Sequence, residues 1–153
     1  MKNYKGGFIG QNKHVAIVAG EFNTVVTQKL VDGAIESLSR HAVSDNDIDV
    51  YWVPGAFEIP FAVQKLLKKN AYDGIMTLGA VIKGETDHYD LICSSVAAAI
   101  ANLNTSANVP VTFGVLTTHD LEQAVQRAGA KAGNEGSATA KSLLEMMSLN
   151  DQL

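Results

Sequence analysis

Four short apolar runs alternate with stretches of helical periodicity along nearly the whole chain, and this alternation limits the fold more than any other feature. The runs are 15–19, 48–53, 74–78 and 110–116, each with the length and β-rich composition of a buried strand. Between them, apolar residues recur three to four apart. Val26, Leu30, Ala34, Ile35 and Leu38 mark a helix over 24–41, and Ile92, Val96, Ala99, Ile100 and Leu103 mark another that ends near 107. A helix between these two starts near Phe57 to Pro60 and runs to Lys69, proline being tolerated in a first turn. Two more, near 119–128 and 133–148, are separated by a break around Gly129 and Gly133. The pattern predicts an α/β fold, a three-layer α/β/α sandwich around a four-stranded parallel sheet, because parallel strands need crossover helices and are covered on both faces. No repeat or linker divides the chain, so residues 1–153 are expected to form a single domain. Residues 1–12 form a polar arm whose apolar pair is Phe8 and Ile9. Such an arm either frays or is added as an extra strand to the edge of a neighbouring subunit's sheet.

Composition narrows the function. The net charge of −4 leaves no basic field for nucleic acid. The first residues lack the apolar core of a signal peptide, and no apolar run is long enough to span a bilayer, so the expected place is the cytoplasm. Charged residues make up 18%, low for a free-standing surface, which leans toward an oligomer. The lone cysteine, Cys93, falls on a helix face and is read as a small buried apolar residue. His14, His41, His88 and His119 show no metal-ligand spacing, so no metal is expected.

In a parallel sheet the loops that follow the strands share one edge, where ligands bind. Here those loops are 20–23, 54–58, 80–88 and 113–119, and every unusual cluster of residues lies in one of them. The third is the richest. A strand ending in a glycine-containing turn that opens a helix presents free N–H groups, and these suit a phosphate at Gly84, Glu85 and Thr86. His88, in the first turn of that helix, carries an imidazole, the side chain suited to moving protons near neutral pH. Thr86 or Asp87 also fits a plain N-cap role, and Asn23 fits the same role in the first loop. Phe22, a lone aromatic at a strand end, reads first as core and second as a platform for a heterocycle; Phe113 leans further to core. Glu58 either complements the dipole of its helix or accepts hydrogen bonds from substrate hydroxyls, behind the small residues Gly55 and Ala56. Lys83 is a solvated lysine, a phosphate contact or a Schiff-base amine. Arg127 ends a helix, where a cation offsets the dipole, and its guanidinium suits a bidentate grip on phosphate.

The motifs together resemble the lumazine synthase family of riboflavin biosynthesis over about residues 14–148. Five blocks in order carry the resemblance: Phe22-Asn23; Trp52-Val53-Pro54-Gly55-Ala56-Phe57-Glu58-Ile59-Pro60; Leu78-Gly79-Ala80-Val81-Ile82-Lys83-Gly84-Glu85-Thr86-Asp87-His88-Tyr89; Phe113-Gly114-Val115-Leu116-Thr117-Thr118; and the stretch from Gln123 to Asn134. The resemblance implies a flavodoxin-like fold assembled as a homopentamer with active sites between subunits. It also implies condensation of 5-amino-6-(D-ribitylamino)uracil with 3,4-dihydroxy-2-butanone 4-phosphate, two small-molecule substrates, without a cofactor. Phe22 would stack on the pyrimidine beside Asn23. Ala56, Phe57 and Glu58 would hold the ribityl chain, and the backbone of Val81, Ile82 and Lys83 the pyrimidine edge. Gly84, Glu85 and Thr86 would seat phosphate, His88 would be the catalytic residue, and Phe113 and Arg127 would come from the neighbour. Glu21, Glu85 and Glu135 depart from the family's usual residues. The short 129–134 connection resembles that of members that form sixty-subunit shells, and riboflavin synthase would be the candidate partner inside such a shell. A rival reading from another class is a non-catalytic flavin-binding module of the same fold, which leaves His88 without a task. Two more are an aldolase-like Schiff base at Lys83 and a purely structural shell protein.

Overall fold

The computed structural model describes all residues, Met1–Leu153. Four parallel strands, β1 (Val15–Gly20), β2 (Ile48–Val53), β3 (Gly74–Ile82) and β4 (Val111–Thr118), lie in the order β2-β1-β3-β4. Five helices connect or follow them: α1 (Thr24–Arg40), α2 (Ile59–Lys69), α3 (His88–Ser106), α4 (Leu121–Arg127) and α5 (Glu135–Asn150). Period-2 alternation divides the strand residues between the two faces. Val15, Ile17, Met76 and Leu78 pack with α1, α4 and α5, whereas Ala16, Val18, Ile75 and Val115 pack with α2 and α3. The three-layer α/β/α expectation is met.

The local chemistry of the helix ends agrees with the sequence in some places and not in others. Asp120 and Asn134 cap α4 and α5, accepting from Gln123 N at 2.8 Å and Ser137 N at 3.1 Å. Asn70 ends α2 at φ 51°, and Gly129 and Gly133 take φ 106° and 77°, which breaks the chain between α4 and α5 as expected. Asn23 precedes α1 but does not cap it; its side chain turns elsewhere. Both β3 and β4 run further than the apolar runs suggested, to Ile82 and Thr118. Lys83 N donates to Thr118 O at 2.9 Å, so mutual pairing carries the ladder past the last buried side chains.

Residues 1–12 contain no strand. Gly7 N donates to Ser148 Oγ at 2.9 Å and Gly10 N to His41 O at 2.7 Å, and Gly6 packs directly on the backbone of Glu145. That part of the arm is therefore not frayed but pinned along α5 and the end of α1. The outer edge of β2 has no strand beside it.

The closest backbone approach in the core is Gly136 of α5 against Leu30 of α1, where a Cβ would collide with the Leu30 carbonyl. Gly136→Ala is expected to destabilise the fold by about 2–3 kcal/mol, the cost of overpacking against a backbone that cannot yield. Gly84→Ala, with nothing within 4 Å of the added carbon, should stay within about 0.5 kcal/mol of wild type. Urea midpoints at constant m check both, and equal midpoints for the two variants would contradict the packing described.

Candidate active site

The strand order reverses between β1 and β3, the switch point at which open parallel sheets bind ligands. β1 pairs with β3 only as far as Ala19 against Leu78, while β3 continues to Ile82. Beyond that register β3 forms the floor of a cleft of about 790 Å³, a volume suited to a small organic ligand. Phe22 and Asn23 form one wall; Ala56, Phe57 and Glu58 form the second; Gly84, Thr86 and His88 form the far side.

The Phe22 wall is held by backbone bonds to β2, from Glu21 N to Val53 O at 2.7 Å and from Phe22 N to Pro54 O at 3.0 Å. Phe22 is 74% exposed, so the core reading of this ring does not hold and the platform reading remains. Asn23 sits at φ 62°, in the left-handed region that asparagine tolerates, and its Nδ2 donates to Ala80 O at 2.9 Å. One side chain thus ties the β1 turn to the floor. Glu58 reaches back over Gly55, where its Oε2 would lie 3.2 Å from an added Cβ, with Phe22 Cβ 3.9 Å from the same point. The carboxylate and the aromatic ring therefore share one corner. A glycine leaves that corner open.

Within Val81, Ile82 and Lys83 the backbone groups are not equivalent. Lys83 N is engaged by Thr118 O, so the alternate residue Ile82 turns its N–H and C=O to the edge that β1 leaves uncovered. The side chains of Lys83 and Glu85 are exposed and do not line the cleft. No backbone bond engages the amides of Gly84, Glu85, Thr86 or Asp87. Asp87 makes no side-chain cap, and Thr86 Oγ1 accepts from His88 N at 3.4 Å. Open amides at the start of a 19-residue helix are suited to an anion. His88 is exposed at the mouth of the same cleft as Phe22.

Phe113 and Arg127 do not reach this cleft. They line a second hollow of about 600 Å³ on the flank of β4, together with Thr117, Gln123, Gln126 and Glu135. Phe113 is 43% exposed rather than core, and Arg127 makes no salt bridge. A third hollow, at the opposite end of the sheet beside Leu66 and Tyr72, is lined by no histidine, arginine or carboxylate.

Tyr89 and Ile92 also line the cleft, and the sequence reading gave neither a role. The signal was available, since Ile92 lies four residues after His88 and shares its helix face. Cys93 is half-buried rather than buried. Burial raises the Cys93 thiol above the ordinary range, and burial together with the Cys93 neighbour raises Tyr89, with Thr117 opposing. At the far end of the sheet, burial and hydrogen bonds to Asp49 and Tyr51 push Tyr72 far up.

Comparison with known proteins gives a consistent result. The sequence profile of the family described as 6,7-dimethyl-8-ribityllumazine synthase matches residues 12–151. A protein of that name from Limosilactobacillus reuteri is 59% identical over 153 residues, covering 100% of this chain and 99% of the relative. Proteins of the same name from Pediococcus pentosaceus and Leuconostoc mesenteroides are 50% and 51% identical, covering 100% and 98% of this chain and 98% and 97% of the relatives.

The three raised groups are expected to weaken the fold at alkaline pH. Each has a folded pKa above its unfolded value, so its contribution is complete below the unfolded pKa and is lost as pH rises through the folded one. Unfolded cysteine and tyrosine titrate at about 8.5 and 10, so the urea midpoint should hold from pH 7 to about 8 and fall between about 9 and 11. Tyr72→Phe should make that fall shallower; an identical slope would mean that the fold does not hold Tyr72 protonated.

Proposed function

The chain belongs to the 6,7-dimethyl-8-ribityllumazine synthase family, and from that premise we propose which of its residues carry the reaction and how its copies are arranged. It is a transferase of riboflavin biosynthesis that condenses 5-amino-6-(D-ribitylamino)uracil with 3,4-dihydroxy-2-butanone 4-phosphate and releases phosphate and water. Family membership does not favour the non-catalytic flavin-binding alternative.

The observation that carries the assignment of residues is the single cleft with Phe22 on one side and Gly84, Thr86 and His88 on the other. In our reading Phe22 stacks on the pyrimidine, with Asn23 fixing that wall. Ala56, Phe57 and Glu58 hold the ribityl chain, Glu58 accepting from its hydroxyls. The backbone beside Val81 and Lys83, chiefly the Ile82 amide, reads the pyrimidine edge. The amides of Gly84, Glu85 and Thr86 seat the phosphate, and the Glu85 carboxylate, being exposed, is free to point away. The substrate amine attacks the ketone, water leaves to give an imine, phosphate is eliminated, and ring closure loses a second water. Two reactants held in register account for most of the acceleration. His88 moves protons between the reacting nitrogen and oxygen atoms and adds about 10²–10⁴-fold.

Phe113 and Arg127 complete the site from a second copy. Their place in a separate hollow supports this, as do the exposed apolar side chains Phe22, Val25, Phe57, Phe61 and Leu91. We read the chain as one domain, residues 1–153, that forms a homopentamer in the cytoplasm. Lys5 O accepts from Gln152 Nε2 at 3.1 Å, so it is residues 1–4 that would extend to the open edge of a neighbour's β2. A sixty-subunit shell is the further assembly suggested by the short 129–134 connection, with riboflavin synthase as its candidate guest. No helix is long and apolar enough to cross a membrane.

Mixing the two substrates with the protein should yield the fluorescent lumazine. His88→Ala should slow turnover by about 10²–10⁴-fold with binding of the aminouracil nearly intact, and complete loss in a folded variant would contradict this division of labour. Arg127→Ala should chiefly raise KM for the phosphorylated ketone. Well below saturation, refolding the two variants together should restore about a quarter of wild-type activity, because a quarter of sites in a mixed ring pair two intact faces. No recovery would remove the shared site.

A further inference from the structure

The first turn of α3 carries His88 into the cleft, yet little on the turn itself fixes it. Its only side-chain cap is the long bond from His88 N to Thr86 Oγ1 at 3.4 Å, and His88, Asp90 and Leu91 are all exposed. Tyr89 is the one residue of that turn with a partly covered side chain. Its ring meets His119 edge to face, with centroids 6.3 Å apart and planes at 75°, an arrangement that aromatic quadrupoles favour. Thr117 and Cys93 lie against the same side chain. The β4 end on which it leans is cross-tied. His119 N donates to Gln123 Oε1 at 2.9 Å, Gln123 N to Asp120 Oδ1 at 2.8 Å and Thr118 Oγ1 to Asp120 O at 2.9 Å. Lys83 N to Thr118 O closes the frame on the strand that leads into the loop.

We propose that Tyr89 is a positioning residue: its ring, braced on His119 and Thr117 at the end of β4, fixes the first turn of α3 and so sets where His88 stands relative to Phe22. The inference rests on His88 as the proton carrier. A first turn capped by a single long bond frays readily, and a misplacement of about 1 Å can cost about 10²-fold in rate. Thr117, Thr118 and Gln123 also line the hollow of Phe113 and Arg127, so the brace refers His88 to the same framework that presents those residues.

The test uses the full chain with Tyr89→Phe, Tyr89→Ala and His119→Ala, each alone and combined with His88→Ala. Tyr89→Ala should lower kcat by about 10–100-fold while leaving KM for the aminouracil within about threefold, a split that general loosening of the fold would not give. Tyr89→Phe keeps the ring and should retain most of kcat. His119→Ala should fall between the two. In the His88→Ala background Tyr89→Ala should cause no further loss, because both changes act through one imidazole. Wild-type kcat in Tyr89→Ala, an effect on KM alone, or losses that multiply with those of His88→Ala would each overturn the proposal. If Tyr89→Ala fails to fold, His119→Ala, at an exposed position, is judged by the same criteria. A His88→Ala enzyme as fast as wild type would instead overturn the role of His88 itself, and with it the premise of the brace.

Discussion

The site depends on a difference in strand length. β1 ends at Gly20 while β3 continues through Gly79, Ala80, Val81 and Ile82 past their last shared register. Gly20 still runs beside Gly79, and the three extended residues beyond it span about 10 Å, so the sheet has a step of that depth where the strand order reverses. The step exposes one edge of β3 as a floor and puts the turns after β1, β2 and β3 around it. Gly20 and Gly55 let the first two turns approach closely, since a Cβ on Gly20 would lie only 3.3 Å from the Gly55 backbone. The aromatic wall, the acidic corner and the amide-lined loop are then brought together by backbone geometry before any specific side chain is chosen.

On the proposed arrangement, electrostatics give the reason for a site shared between two chains. The loop after β3 offers unpaired amides, but of the charged side chains about it only Lys83 is basic, against the acidic Glu85, Asp87 and Asp90. Arg127, the cation suited to balance a phosphate, faces a different hollow on the same chain. On the proposed arrangement the assembly provides the missing charge, and the exposed apolar surface around Phe57, Phe61 and Leu91 provides the reason to assemble. Each chain then contributes to two sites, its cleft to one and its β4 flank to the other.

Much of the fold was legible because buried parallel strands leave long apolar runs, and helices against them leave regular stripes. What escaped were features set by pairing and by neighbours. Val81 and Ile82 at the end of β3 are partly exposed, and β4 ends in two threonines of which Thr117 is exposed and Thr118 buried, so the apolar signal stops before the ladder does. Phe22 and Phe113 look like core residues in one dimension; Phe22 is exposed because it stands past the end of β1, and Phe113 because it lies on the edge strand β4. Asn23 has the composition of an N-cap but uses its amide on a strand carbonyl far away in sequence, which no local rule anticipates. Tyr89 lay inside the recognised motif, overshadowed by the histidine beside it. The polar arm looked free because its anchors are glycine backbones lying on α5, a contact without a hydrophobic signature.

Asn23 faces two demands that few amino acids meet together. Its backbone occupies a region that most side chains avoid, and its amide nitrogen must give a proton to the Ala80 carbonyl. Glycine satisfies the first and leaves the oxygen unanswered; aspartate tolerates the dihedral but turns like charge on the acceptor; glutamine carries the donor on a longer stem and pays the steric penalty. Attempts to widen or reshape the cleft by varying its lining should therefore find this position nearly immutable, while the adjoining ring at Phe22, free of backbone obligations, is where a changed preference for the heterocycle can be introduced.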